Sequence, residues 1–180
     1  IHGRAPAIAT GVKATNPDLD VWLISGDGDT FSIGGNHFIH AIRRNIGFKY
    51  LIFNNEIYGL TKGQYSPTSK TGLVTKSTPY GSVDGFFNPM SLALGAGCTF
   101  YARVADSTPK DMTEIFVEAS KHKGTAIIEI LQNCVIFNDK VHAPITARDI
   151  RADAQLKLVD GEKMLFGAES NKGIIRNAKG

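Results

Sequence analysis

Cysteine is scarce in this chain. Only Cys98 and Cys134 occur among 180 residues. They form no C-x-x-C pair and are too sparse for a disulfide scaffold, so the default setting is intracellular and cytoplasmic. No N-x-S/T sequon appears. Charge of one sign is also missing: 20 Lys and Arg stand against 17 Asp and Glu, a net +3. With no basic run, that balance argues against nucleic acid as a partner. No apolar run approaches the ~20 residues of a membrane span, and no signal peptide is visible. Two phosphate-binding signatures are absent as well. Gly26-x-Gly28 is followed by Phe31 where a dinucleotide loop needs a third glycine, and no glycine loop leads into G-K-S/T. An initiator methionine is lacking too. The chain opens Ile1-His2-Gly3 and is expected to be a piece of a longer subunit.

What is present is the composition of one globular domain, 42% hydrophobic and 21% charged. Short apolar runs occur at Val21-Trp22-Leu23-Ile24, Tyr50-Leu51-Ile52-Phe53, Ala126 to Leu131 and, more weakly, Phe100 to Val104. Unbroken runs rich in β-branched and aromatic residues suggest strands buried on both faces, as in parallel sheets. Helical patterns lie between them. Pro109 to Lys123 carries Met112, Ile115, Phe116 and Ala119 on one face, with Thr108 as cap and Gly124 as stop. His37 to Asn45 predicts a helix with Phe38, Ile39 and Ile42 inward. Pro89 to Gly97 predicts a buried helix with Met90, Leu92, Ala93 and Leu94, and Pro6 to Ala14 a fourth. Strands alternating with helices predict a doubly wound α/β fold, a mostly parallel sheet flanked by helices. The α/β domain is expected to cover 1–138. Residues 139–180, where the pattern weakens, are expected to be an extension packing on a neighbour or partly mobile.

In open α/β sheets ligands bind beyond the carboxyl ends of strands. Two such ends are rich in polar residues: Ser25-Gly26-Asp27-Gly28-Asp29-Thr30 and Asn54-Asn55-Glu56-Ile57-Tyr58-Gly59. Asp27 supplies a carboxylate between two glycines, Asn55 an amide oxygen and Ile57 a backbone carbonyl. These are hard oxygen ligands of the kind Mg²⁺ takes while it completes its octahedron with phosphate oxygens and water. A helix starting near Gly35 or Asn36 would add free N–H groups. Taken singly, a G-D-G is a tight turn and Asn-Asn a loop. Taken together they are more specific: Gly26-Asp27-Gly28, then residues 29–53, then Asn54-Asn55. This pattern resembles the thiamine diphosphate motif of thiamine-dependent enzymes.

The flanking residues narrow the resemblance. Gly26-Asp27-Gly28-Asp29, Ile33-Gly34-Gly35-Asn36-His37-Phe38, Arg43-Arg44-Asn45 and the run from Tyr58 to Thr68 look like the β subunit of 2-oxoacid:ferredoxin oxidoreductases, the 2-oxoglutarate type above all. His2-Gly3-Arg4-Ala5 resembles the stretch those subunits place before the first helix, near the cofactor. Leu131-Gln132-Asn133-Cys134 with Asn138-Asp139 resembles their later cluster-binding segment. The likeness runs from His2 to about Asp139, and more loosely through Phe166-Gly167 and Asn171-Lys172-Gly173.

The resemblance implies that Asp27, the Asn55 side chain and the Ile57 carbonyl hold Mg²⁺ on the diphosphate of thiamine diphosphate. Gly26, Gly28, Asp29, Tyr58, Gly59, Leu60, His2, Gly3 and Arg4 would surround the cofactor. It implies oxidative decarboxylation of a 2-oxoacid to an acyl-coenzyme A, with electrons passed through iron–sulfur clusters to ferredoxin. It also implies a hetero-oligomer with an α-type subunit. That partner would bring the glutamate that activates the cofactor, since Glu56 is too close to the diphosphate end. Cys134 matches the last ligand of a [4Fe–4S] cluster whose other cysteines would lie upstream of Ile1, so the isolated piece is expected to be inactive. Read without the family, Cys134 is a buried free thiol, as Cys98 is expected to be. Lys62 is a solvated loop lysine or the partner of a substrate carboxylate. His37 is a cofactor contact or a helix cap. His37 and His40, at i and i+3, lack a third metal ligand at suitable spacing. The alternatives are a non-oxidative thiamine diphosphate-dependent decarboxylase, or a cofactor-binding module without turnover.

Overall fold

The computed structural model describes residues 1–175 of the chain. The chain divides into two compact units, Ile1–Asp139 and Lys140–Gly180. The first runs α1 (Ala5–Thr15), β1 (Trp22–Gly26), α2 (Asp27–Phe31), α3 (Gly35–Arg44), β2 (Lys49–Asn54), α4 (Pro89–Gly95), β3 (Phe100–Ala105), α5 (Pro109–Lys121) and β4 (Ala126–Leu131). The four strands pair in the order β1-β2-β4-β3, all parallel. This is the doubly wound α/β architecture expected from the alternating pattern.

The apolar runs of β2 and β4 are continuous because both faces of the sheet's centre are covered, whereas Ile24 on the edge strand β1 is 64% exposed. Side chains alternate across a strand, so neighbouring residues serve opposite layers. Tyr50, Ile52 and Ile127 pack with Ala9, Phe38, Ala41, Ile42 and Ala93 from α1, α3 and α4. Leu51, Ile128 and Ile130 pack with Ala119, Met112, Ile115 and Phe116 from α5. Every residue of β4 is buried, the charged Glu129 included. On the first face Phe38 meets Phe31 and Tyr50 edge-on, at centroid distances of 5.2 and 6.0 Å. The Tyr50 hydroxyl pairs with Thr30 Oγ1 at 2.9 Å, and burial pushes its phenol up to about 12.

Some local expectations fail for identifiable reasons. Ile39 is 37% exposed because α3 buries a narrow stripe of Phe38, Ala41 and Ile42. α4 is not fully buried: Met90 and Leu94 face outward while Ala93 is sealed. Thr108 does not cap α5 with its side chain, because its hydroxyl donates back to the Ala105 carbonyl. The five-residue helix α2, starting on Asp27 itself, is too short to show a period in the sequence.

The second unit has elements of its own. They are α6 (Ala143–Thr146), α7 (Arg151–Ala154) and the antiparallel pair β5 (Leu165–Phe166) and β6 (Lys172–Gly173). Among the described residues no helix is long and apolar enough to cross a membrane.

Candidate functional site at the ends of β1 and β2

The parallel pairing of β1 with β2 sets Gly26 opposite Phe53, so the two polar segments leave the sheet side by side. Asp27 opens α2 and is 2% exposed. Its Oδ2 accepts hydrogen bonds from Ser66 Oγ and Thr68 Oγ1, each at 2.6 Å. Burial raises the Asp27 carboxyl above its ordinary range, and these bonds oppose the rise. Among the described residues no ion pair offsets the Asp27 charge, although a buried carboxylate is costly without a counter-charge. A cavity of about 610 Å³ lies on the far side of Ser66, lined among others by Phe31, Tyr58, Ser66 and Asp84. A buried carboxylate that lacks a cation and is held by Ser66, a residue of that cavity's wall, fits the Mg²⁺ reading.

The second arm is the loop after β2. Asn54 ends the strand, 4% exposed, and its Oδ1 accepts the Glu56 N–H at 3.2 Å. Asn55 Oδ1 accepts the Ile57 N–H at 3.3 Å, a local turn that places the amide oxygen and the Ile57 backbone together. Glu56 takes a positive φ of 53°, which turns the chain between them. Tyr58 returns to the first arm: its hydroxyl donates to the Gly28 carbonyl at 2.9 Å. An added Cβ on Gly28 would sit 2.2 Å from the Tyr58 ring. Gly28→Ala is therefore expected to push the ring aside and cost ~1–3 kcal/mol, measured by urea unfolding.

Asp29 gathers the amino-terminal segment. Its Oδ1 takes the Gly3 N–H and His2 Nδ1, both at 2.6 Å, and its Oδ2 takes Ser25 Oγ at 2.5 Å. The His2 ring lies 6.2 Å from that of Tyr58. Gly3, at φ 74°, packs so tightly on the chain at Ile33 and Gly34 that no side chain fits. The structure thus brings His2, Gly3, Gly26, Asp27, Gly28, Asp29, Asn55, Ile57 and Tyr58 to one end of the sheet.

Other expected residues stand further out. Gly59, Leu60 and Lys62 lie on the short loop that Tyr58 and Gln64 close, with Leu60 fully exposed and Lys62 at φ 67°. Arg4 and His37 pair with each other, Nη1 to Nε2 at 2.9 Å. His37 does not cap α3, whose N-cap, Gly34, receives no side-chain bond. His40 takes Arg43 Nε at 3.3 Å. Among the described residues no group of three His, Cys, Asp or Glu could hold a metal ion, so Cys134 has no fellow ligands there. Cys134 is half-buried in a loop closed by Asn138. The Asn138 amide donates to the carbonyls of Asn55 and Glu56 at 3.0 and 3.2 Å, which ties the cysteine loop to the second arm. Cys98 is half-buried, donates to the Phe100 carbonyl, and burial raises its thiol.

Ser66, Thr68 and Glu129 have no individual role in the sequence reading, and Asn138 enters it only within the segment that resembles a cluster-binding stretch. Ser66 and Thr68 look like ordinary loop residues. The signal for Glu129 was available: a lone carboxylate inside an otherwise apolar strand run.

Comparison with known proteins agrees with this geometry. Residues 1–130 match the family described as thiamine pyrophosphate enzyme, C-terminal TPP binding domain. The chain is 53% identical over its whole length to the 2-oxoglutarate oxidoreductase subunit KorB of Mycobacterium tuberculosis, covering 48% of that protein. It is 47% identical over 139 residues to the 2-oxoacid:ferredoxin oxidoreductase subunit beta of Saccharolobus solfataricus, covering 46% of it. The chain thus spans about half the length of these curated relatives. Among solved structures it is similar to the 2-oxoglutarate:ferredoxin oxidoreductase from Magnetococcus marinus, a structure with 2-oxoglutarate, coenzyme A and succinyl-CoA bound. The TM-score is 0.79 and the identity 40%, over 90% of this chain and 54% of that one. A thiamine diphosphate-dependent 4-hydroxybenzoylformate decarboxylase from Rhodococcus jostii shares the fold at 24% identity and TM-score 0.52, over 73% of this chain and 23% of that one. The chain belongs to the thiamine pyrophosphate enzyme family, as its C-terminal TPP-binding domain.

Proposed function

We propose that this chain is the cofactor-binding part of the β subunit of a 2-oxoacid:ferredoxin oxidoreductase of the 2-oxoglutarate type. The observation that carries the reading is buried Asp27 beside the Asn55–Ile57 turn, at adjacent ends of two parallel strands. The 53% identity to a 2-oxoglutarate oxidoreductase subunit supports the substrate class. Asp27, the Asn55 amide oxygen and the Ile57 carbonyl would hold Mg²⁺ against the diphosphate. Thiamine diphosphate, when bound, supplies the carbon that attacks the 2-oxoacid and accepts the electrons left by decarboxylation. This chain positions that group: Ser66 and Thr68 hold the Asp27 carboxylate, Tyr58 and Gly28 lock the two arms together, and Asp29 fastens His2 and Gly3 beside them. Gly26, Gly59, Leu60 and Arg4 belong to the same surround.

Cys134 is the proposed ligand of a [4Fe–4S] cluster completed by residues outside this chain. Its support is the tie from Asn138 to the Asn55 and Glu56 carbonyls, which keeps the cysteine loop beside the cofactor loop. Electrons would leave this way toward ferredoxin, and coenzyme A would accept the acyl group. An α-type subunit would supply the activating glutamate, which makes the enzyme a hetero-oligomer, cytoplasmic like other enzymes that rely on reduced thiols. The unit from Lys140 onward, with Leu158, Met164 and Ile175 exposed, is read as packing on a neighbouring subunit.

Lys62 is the proposed partner of the distal carboxylate of 2-oxoglutarate, carried on an exposed loop beyond the cation site. Lys62→Met is expected to raise the KM for 2-oxoglutarate about tenfold or more while leaving that for pyruvate nearly unchanged. Equal effects on both substrates would remove the role. The overall reading is tested by methyl-viologen reduction with the full-length enzyme, a panel of 2-oxoacids and coenzyme A. Reduction with 2-oxoglutarate is expected, and no reduction with any 2-oxoacid would overturn the reading.

A further inference from the structure

Glu129 sits in the middle of the sheet, 1% exposed, on a strand that is otherwise apolar. Register places it between Ile52 of β2 and Arg103 of β3. Its Oε2 accepts from Arg103 Nε at 2.7 Å and from the Tyr101 hydroxyl. Its Oε1 accepts from Asn54 Nδ2 at 2.8 Å. That last bond has a directional consequence. An ionised carboxylate is an acceptor only, so it takes the NH₂ edge of Asn54 and repels the oxygen edge. Asn54 Oδ1 is therefore turned the other way, where it meets Thr68 Oγ1 at 2.9 Å and the Glu56 N–H at 3.2 Å. The single Thr68 hydroxyl proton faces two acceptors, Asn54 Oδ1 and Asp27 Oδ2 at 2.6 Å, and donates to one of them at a time, so it does not link Asn54 to Asp27. A flipped Asn54 would turn its NH₂ onto the Glu56 N–H, donor against donor, and break that contact.

We propose that Glu129, anchored by Arg103 and Tyr101, is a positioning residue that fixes the Asn54 amide and thereby sets the second arm of the cation site, the Asn55–Ile57 turn, through the Glu56 N–H. The inference rests on the reading of Asp27, Asn55 and Ile57 as Mg²⁺ ligands. It assigns a buried charge with no other evident use, on a strand that carries none of those ligands. It also explains why an ion pair crosses a face that is otherwise apolar.

The test is calorimetric titration of Mg²⁺, with thiamine diphosphate present, into the cofactor-stripped full-length enzyme, beside its melting temperature. Glu129→Gln keeps the shape but has one acceptor oxygen for Arg103 and Asn54 together. It is expected to raise the Mg²⁺ half-saturation about tenfold, the lower end for outer-shell partners. Glu129→Asp keeps the charge near Arg103 but withdraws from Asn54, and is expected to give the same shift should the glutamine variant fold poorly. An unchanged Mg²⁺ half-saturation in the Glu129 variants would overturn the inference while the cation site stands. A wild-type enzyme that binds thiamine diphosphate without Mg²⁺ would overturn the site reading, and the inference with it.

Discussion

Asp27→Ala is expected to weaken Mg²⁺-dependent thiamine diphosphate binding by well over a hundredfold. Loss of a group that only orients a ligand costs roughly 10–100-fold, and removal of a charged ligand itself exceeds that. Asp27 is the single carboxylate of the proposed donor set, and the amide oxygen and carbonyl that remain carry no charge. The measurement is calorimetric titration of the cofactor into the full-length enzyme; binding within tenfold of wild type would remove Asp27 from the site. The same carboxylate has a second, opposite signature without metal. Burial raises its folded value above the ordinary 3.8. A raised value means that the folded state favours the protonated form. The stability it contributes is present below pH 3.8 and is lost as pH climbs through the raised folded value. Metal-free protein should thus lose stability over that window, and Asp27→Asn should flatten the loss. Urea unfolding at several pH values without Mg²⁺ reads this directly. The residue that secures the cofactor is expected to burden the empty fold.

Glu129→Ala is expected to cost about 3 kcal/mol of folding stability. Removing one member of a buried ion pair costs about 3–5 kcal/mol, because the other charge is stranded. The lower end applies, since the Arg103 side chain is 40% exposed and can turn to water. Asn54 is buried, 4% exposed, and loses the Glu129 oxygen that its NH₂ meets. Urea unfolding of Glu129→Ala beside Arg103→Ala checks this. The two losses should not add, as the residues share one interaction. A loss below about 1 kcal/mol for Glu129→Ala would show that the strand tolerates an empty polar seat there.

Most of the architecture was readable from periodicity, because a parallel sheet covered on both faces writes unbroken apolar runs. The four strands and the longer helices lie where those runs and caps place them, to within a few residues. The two loops of the site were readable for a different reason. Ligands in such folds collect at strand ends, and Asp27 and Asn55 both follow a strand directly. The site's supports were not readable. Ser66 and Thr68 reach Asp27 across some forty positions of sequence, and nothing local marks such a contact. The helix at Asp27 is shorter than two turns, so no periodicity could reveal it. His37, read as a cap or a cofactor contact beside Gly35 and Asn36, does not cap α3, and its ring meets Arg4, 33 positions earlier in the chain, which nothing local marks. Glu129 was legible as an anomaly, a charge in an apolar run, and its meaning came from Arg103 and Asn54 on the two flanking strands.

The central claim is that the ends of β1 and β2 form one cation site. Substituting Mn²⁺ for Mg²⁺ in the full-length enzyme, with thiamine diphosphate bound, and locating it by anomalous scattering tests that claim most directly. The account predicts one Mn²⁺ peak within about 2.3 Å of an Asp27 carboxylate oxygen, Asn55 Oδ1 and the Ile57 carbonyl oxygen, the close oxygen contacts that Mg²⁺ makes at about 2.1 Å. A Mn²⁺ peak that lacks Asp27 among its ligands, or cofactor density away from these two strand ends, would contradict it.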